Sequence, residues 1–282
     1  MNRRHFGTLA TSAMVTALLR EVAEVRAAAP PSQATPDQAI AEATRRHAKL
    51  LAGPKLTIAM MPYPGMFLQD LIGPLTMFEA LLNRDIFLVW KDTSPMKVGS
   101  SITLTPTTTF DQCPSDVDVL FVPGGVPGTF AMMEDAEVLA FLASRGRTAK
   151  YVTSVCTGAL ILGAAGLLKG YKATSYWNTR EILSVFGAIP TEGRVVVDRN
   201  RITGGGVTAG LDFGLRVIAE LRSQAYAEAV QLYVEYDPQP PFRAGSPKTA
   251  PKEAKAFVDD MLGSVVAVAR ETAERAQSRL GR

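Results

Sequence analysis

Two side chains in this sequence combine reactivity with a setting that suits covalent chemistry. Cys156 sits in "YVTSVCTGALILGAAGLL" (151–168), where an apolar β-branched run gives way to small helix-forming residues. A cysteine on such a strand-to-helix turn points its sulfur at the helix's unsatisfied N–H groups, which favour thiolate and lower the thiol pKa below its free value of about 8.5. Thr157 and Gly158 are small enough for the tight turn of a nucleophile elbow. The competing reading is a small buried hydrophobe or half of a disulfide. With only two cysteines there is no disulfide framework, and Cys113, in the polar Pro-containing loop "DQCPSD", reads as structural.

The usual partner of a nucleophilic cysteine is histidine, but His5 and His47 both precede the folded core. That removes Cys-His and Ser-His triads and histidine-rich metal sites, so any general acid or base must be a carboxylate or a hydroxyl. Asp70, in "YPGMFLQDLIGP" (63–74), stands at the start of a helix after the first strand. As a residue type it is equally suited to N-capping. To move protons near neutral pH its pKa would have to be raised by burial beside Met66, Phe67 and Leu71. "PGGVPG" (123–128) offers backbone N–H groups to a developing anion, with the N–H of Thr157 as a second donor, or it is an ordinary strand-end turn. "GGGVTA" (204–209) matches a dinucleotide fingerprint only literally, lacking the following acidic-ended strand.

The elements that position these residues read as alternating strands and helices. "KLTIAMM" (55–61), "IFLVWK" (86–91), "VDVLFVPGG" (117–125) and "KYVTSV" (150–155) are buried strands, separated by helices at 71–82 and 134–147. The Thr-rich "SSITLTPTTTF" suits a hairpin, "RVVVDRNRITGGG" a hairpin or paired strands, and 207–223 a long helix. This alternation implies an α/β fold with a mostly parallel sheet covered on both faces. Ligands then sit beyond the carboxyl ends of the strands, where the Gly-marked turns 123–128, 154–158 and 204–210 should meet. Tyr176, Trp177 and Asn178 either line that region or simply pack.

The amino terminus, "MNRRHFGTLATSAMVTALL", has the order of a twin-arginine export signal, too short to span a bilayer. The expected organisation is a signal at 1–29, a tether at 30–54 with a short helix, one α/β domain at 55–251 ending in a Pro-rich arm, and a carboxyl-terminal helix at 252–282 that could pack on a neighbour. Export places the mature protein in the periplasm, or in the cytoplasm if the signal does not function. Removing 1–29 lowers the formal charge from +3 to +1. With no basic stripe interleaved with aromatics, the pattern argues against nucleic acid and for a small-molecule partner.

"TSVCTGALILGAAGLL", "FVPGG", "RITGGGVTAGLDFGL", "QDLIGP" and "VQLYVEYDPQPPFRAGSPKTAP" together resemble the ThiJ/PfpI family of the class I glutamine-amidotransferase-like superfamily, and most of all its isocyanide hydratases. The resemblance implies a flavodoxin-like α/β sandwich with a nucleophile elbow, a homodimer, no metal or organic cofactor, and no membrane for the mature form. It also implies roles: Cys156 as nucleophile, Asp70 as catalytic carboxylate, Thr157 as the catalytic residue after the nucleophile, and the Gly124–Gly125 turn as substrate or oxyanion donor, with Gly125 the donor itself. The implied reaction hydrates an isocyanide to an N-substituted formamide through a covalent thioimidate. The leader and tether are additions to the family's usual pattern. Rival readings are a redox-sensing or small-molecule-binding protein with an oxidisable Cys156, or another hydrolase of the superfamily. The sensory half of a transcription regulator would need a helix-turn-helix domain for which the stretch after Tyr236 leaves no room.

Overall fold

A computed structural model describes residues 35–99 and 101–280 of the chain. The export signal expected at 1–29 lies outside the described residues. The chain divides into two units, Met1–Ala52 and Gly53–Arg282. In the first, helix α1 (Pro36–Arg46) begins with a capping box: Thr35 Oγ1 accepts from Gln38 N while Gln38 Oε1 accepts from Thr35 N. A single turn, α2 (Ala48–Leu51), follows.

The second unit is built on a seven-stranded sheet. Strand β1 (Leu56–Met60) leads through helix α3 (Leu68–Glu79) to β2 (Arg84–Trp90). The Thr-rich region supplies β4 (Ile102–Leu104), which pairs in a hairpin with β3 (Met96–Val98) just before it, and a short edge strand, β5 (Thr108–Thr109). Then come β6 (Val119–Val122), helices α4 (Gly128–Glu134) and α5 (Ala136–Gly146), β7 (Tyr151–Val155) and α6 (Gly158–Ala164). A small β8 (Lys172–Ala173) and β9 (Ile189–Pro190) pair flanks a 3-10 helix (Arg180–Phe186). The antiparallel pair β10 (Val195–Asp198) and β11 (Arg201–Gly204) precedes α7 (Ala209–Leu221), α8 (Gln224–Tyr233) and the long α9 (Lys252–Leu280).

The order across the sheet is β10-β11-β7-β6-β1-β2-β5, parallel throughout except for β10. This is the mostly parallel sheet that the alternation implies and the flavodoxin-like sandwich that the family resemblance implies. The central strands are near-continuous apolar runs because both faces are covered. The crossover β1-α3-β2 steps one way along the sheet and β6-α4-α5-β7 steps the other, so right-handed connections put their helices on opposite faces. That reversal makes the carboxyl ends of β1 and β6 a topological switch point, where a doubly wound sheet leaves a crevice.

Three expectations shift. Helix α3 starts at Leu68, three residues earlier than its apolar spacing implies, with extended Phe67 as its N-cap. Expected helix 134–147 begins two residues later: α5 runs from Ala136 to Gly146, Glu134 ends α4, and the Asp135 carboxylate between them caps α5 by accepting from the N–H groups of Glu137 and Val138. Helix α9, expected as a candidate contact for a neighbour, docks its second half on its own domain: Ala269, Thr272, Ala273 and Ala276 are buried, and Arg275 and Arg279 reach Glu134.

Candidate active site

The switch point collects Asp70 from the segment after β1, Gly124 and Gly125 from the turn after β6, and Cys156 from the turn after β7. Cys156 follows β7 directly and has φ +57°, in the left-handed region that a non-glycine residue enters only when its surroundings enforce it. Three bonds enforce it here. Its N–H lies 2.8 Å from the Gly205 carbonyl and 3.1 Å from that of Gly204, and its carbonyl accepts from Ser175 Oγ at 3.0 Å. This strained strand-to-helix turn is the nucleophile elbow.

Gly124 and Gly125 are glycines by necessity. A Cβ on Gly124 would lie 2.5 Å from Thr157 N and 2.8 Å from Cys156 Cβ. Gly125 has φ +133°, and a Cβ there would lie 2.1 Å from Phe67 N. The absence of side chains lets the β6 turn press against both the elbow and the start of α3, where Phe67 N donates to the Gly124 carbonyl at 2.8 Å.

Asp70 is the third residue of α3 and is fully buried. It is not a cap: the N-cap is Phe67, and no side-chain bond closes the helix start. Burial raises its pKa from an ordinary 3.8 to about 7, opposed by the nearby Cys156 thiol and the Gly124 N–H. These neighbours are close enough to pull the value down, yet neither carboxyl oxygen has a hydrogen bond of normal geometry within the described residues. A carboxylate without well-placed donors in a dry site takes up a proton. Of the three apolar neighbours expected to create this burial, Met66 and Leu71 are buried, whereas Phe67 is 54% exposed and forms no wall.

The thiol departs further from expectation. Helix N–H groups alone should depress its pKa, but it is pushed well above the usual cysteine range, first by burial and next by the charge of Asp70. The Thr157 N–H pulls the other way without prevailing. Cys156 and Asp70 therefore behave as one coupled pair in which neither group ionises easily while the other is charged.

Gly125 also differs from its expected role. Its N–H donates to Thr157 Oγ1 at 2.9 Å and is not free for a developing anion. The N–H groups that do face the pair are those of Gly124, toward Asp70, and Thr157, toward sulfur. Three residues with no mark in the sequence complete the setting: Ser175, Tyr63 and Thr129, the last bonded to Thr157 Oγ1 at 2.7 Å. Their hydroxyls are ordinary residue types whose partners lie 19 to 66 positions away in sequence, so no local pattern exposes them.

Cys113 is buried, with Arg145 donating to its carbonyl at 3.1 Å. Tyr176 and Trp177 line a cavity of about 530 Å³, together with Arg180, Arg194, Lys255 and the Gly205–Gly206 backbone. Its lining includes neither Cys156 nor Asp70, although Gly205 and Ser175 bond directly to the Cys156 backbone. Among the described residues no cluster of three His, Cys, Asp or Glu is placed to hold a metal, and no helix is long and apolar enough to cross a membrane.

The model of the DJ-1/PfpI family matches residues 57–220, from β1 to α7. The chain belongs to the DJ-1/PfpI family. Within it, the chain is 44% identical over 225 residues to the isonitrile hydratase of Pseudomonas putida, covering 80% of this chain and 98% of that protein. The crystal structure of a ThiJ/PfpI family protein from Pseudomonas syringae superposes with a TM-score of 0.79 at 52% identity, covering 88% of this chain and 98% of that one. An HTH-type transcriptional regulator from Pseudomonas aeruginosa, GbdR, is 28% identical over 176 residues, which take in 60% of this chain but 47% of the regulator. The likeness to the Pseudomonas putida protein extends past the family core, whereas the regulator shares only part of its length.

Proposed function

We propose that this DJ-1/PfpI protein hydrates isocyanides, converting R–N≡C and water into R–NH–CHO through a thioimidate on Cys156. The observation that carries the reading is the buried Asp70 carboxyl beside the Cys156 thiol, in a family core with no histidine. The high identity to a protein named isonitrile hydratase supports the substrate class.

The pair's proton inventory suits the chemistry. Above about pH 7 the two groups hold one proton between them, because Asp70 has ionised and the thiol does not ionise beside its charge. Asp70 takes that proton as sulfur attacks the terminal isocyanide carbon, then gives it to the same carbon: a C–S and a C–H bond form, and the C≡N bond becomes C=N. The product is the thioimidate R–N=CH–S. Asp70, again a carboxylate, draws a proton from water as its oxygen adds to carbon, and that proton passes to nitrogen. When the remaining hydroxyl proton leaves, C=O forms, the C–S bond breaks, and the proton returns to the pair. One carboxyl moving one proton at a time suffices for every step, which is the service a group with a pKa of about 7 performs well.

The test is formamide formation from a simple aryl or alkyl isocyanide by the full chain, with Cys156→Ala and Asp70→Asn alongside. Turnover is expected to vanish in the first and to fall at least a hundredfold in the second. Wild-type rates in either variant would overturn the assignment. The same assay separates the redox-sensor reading, which expects reversible peroxide oxidation of Cys156 and no formamide.

A further inference from the structure

The Pro-rich arm, to which the hydration chemistry assigns nothing, closes one side of the cavity that Tyr176 and Trp177 line. The opposite walls are the segment 174–177 after β8 and the turn 205–209 that opens α7; the arm contributes 244–247 and α9 its first turns. At about 530 Å³ the space is in the range of sites for small organic molecules. Four charged side chains line it, and three are committed. Arg194 Nε meets Asp212 at 2.7 Å while its Nη2 donates to the Thr208 carbonyl at 2.9 Å. Lys255 Nζ meets Asp259 at 2.5 Å, and Glu192 is held by Lys248 of the arm at 2.7 Å. Arg180 is the exception. Among the described residues its guanidinium makes no hydrogen bond, and its one ion-pair contact, Glu181 at 3.5 Å, has a side chain 72% exposed against 23% for Arg180 itself.

A guanidinium carries five N–H donors in a planar fork that matches a carboxylate. Thr174, also in the lining and 1% exposed, leaves its Oγ1 without a partner, so a second donor there is unspent. Helix α7 opens on the cavity with no side-chain cap, which adds the positive end of its dipole. Beside these groups stand two flat apolar faces: the Tyr176 and Trp177 rings lie 5.9 Å apart at 50°. A Cβ on Gly206 would come within 3.1 Å of Tyr176 Cδ2, so the absence of one lets the ring lie against bare backbone. An uncommitted arginine next to aromatic faces suits a planar ring that carries a negative charge.

We propose that this cavity binds a small aromatic carboxylate, its charge held by the Arg180 fork and its ring resting on Tyr176 and Trp177. Two shared residues join the site to the nucleophile. Ser175 Oγ donates to the Cys156 carbonyl at 3.0 Å and the Gly205 carbonyl accepts from Cys156 N at 2.8 Å, and both residues line the cavity although Cys156 and Asp70 do not. The carboxylate is either a separate molecule or the remote acid end of an isocyanide whose reactive carbon lies past this wall; the chemistry recognised is the same.

The experiment titrates the full chain with 2-naphthoate by calorimetry, using 2-naphthamide as the neutral ligand of the same shape and thermal melts to verify folding. Wild type should bind the acid about tenfold or more tightly than the amide. Arg180→Gln should lose that advantage and leave the amide unchanged, Arg180→Lys should recover part of it, and Trp177→Leu should weaken acid and amide alike. A folded Arg180→Gln that binds the acid as wild type does overturns the proposal. So does an equal loss in Arg216→Gln, which removes an exposed cation of α7 outside the cavity. If Arg180→Gln does not fold, a wild type that binds the acid no better than the amide, or binds neither at about 1 mM, overturns it alone. The formamide assay then separates the two sources: 2-naphthoate that competes with a simple isocyanide marks the substrate's own tail, and 2-naphthoate that binds alongside it marks a separate molecule. Calorimetry needs no turnover, so Arg180-dependent binding in a chain that never makes formamide upholds the site and removes the hydratase reading instead.

Discussion

Replacing Asp70 by Asn should change the pH dependence of stability in a direction opposite to that of most carboxylates. A salt-bridged aspartate binds its proton less tightly when folded, and its stabilising effect is lost in acid. Asp70 is the reverse: burial raises its pKa from 3.8 to about 7, so the folded chain holds the proton more tightly than the unfolded one. Its protonation favours the fold below about pH 7, and this advantage disappears as pH rises through that value. Integrated between about pH 5 and about pH 8, the difference is roughly 3 kcal/mol for one group with this shift. The side chain is fully buried, so solvent screening does not discount the figure appreciably. Asn is close in shape and does not titrate, and every other ionisable group is common to the two proteins. Urea unfolding of wild type and Asp70→Asn at the two pH values therefore isolates the term. Relative to wild type, the variant should be more stable by roughly 3 kcal/mol at the higher pH than at the lower. The same stability difference at both pH values would mean that Asp70 titrates normally, and the account of its burial would fail.

Two further outcomes follow from the same geometry. The singly protonated Cys156–Asp70 pair is the reactive form, so kcat/KM for isocyanide hydration should fall about tenfold per unit below about pH 7 and hold level above it. A profile flat from pH 5 to pH 7 would show that Asp70 does not exchange the proton. Gly124→Ala would bring a Cβ within 2.5 Å of Thr157 N, and the turn must move. A loss of about 1–3 kcal/mol in stability, read by urea unfolding, and a large fall in formamide formation are expected together; an active, stable variant would show that the close approach is dispensable.

The architecture was legible in the sequence because its signals are local. Buried parallel strands such as "VDVLFVPGG" are uninterrupted apolar runs, and Gly-marked turns follow them, so the crevice can be located before any coordinates. Helix boundaries were less legible for equally local reasons. Phe67 is apolar and hides a helix start that no polar cap announces, while Asp135, the second residue of the stretch 134–147, caps α5 instead of continuing a helix. Cys156 is legible from its place where a β-branched run gives way to small residues, whereas Asp70, at a helix start that equally suits a cap, is legible as a catalytic group only through the family resemblance. Neither the Tyr63–Thr129–Thr157 contacts nor the committed N–H of Gly125 could be read, since each depends on which loops the fold brings together.

The Cys156 thiol shows the opposite pKa shift to the one its helix alone would cause. Spacing along the chain gives the helix N–H groups next to Cys156 and so argues for a low pKa; burial reverses this first, and then the carboxyl of Asp70 on helix α3, 86 positions earlier in the chain. The high value does not make sulfur a poor nucleophile. A thiol that ionises alone in a dry pocket must bear an uncompensated charge, whereas one that passes its proton to a neighbouring carboxyl keeps the total charge of the pair constant. Transfer from Cys156 to Asp70 moves a charge across a short distance within the site and requires no exchange with solvent. The pKa of about 7 for Asp70 then sets the price of that transfer: an ordinary carboxylate would be too weak a base to take the thiol proton and too strong an acid to keep it until carbon is ready. Burial of Asp70, rather than activation of Cys156 by its helix, is the property on which the chemistry of this site turns.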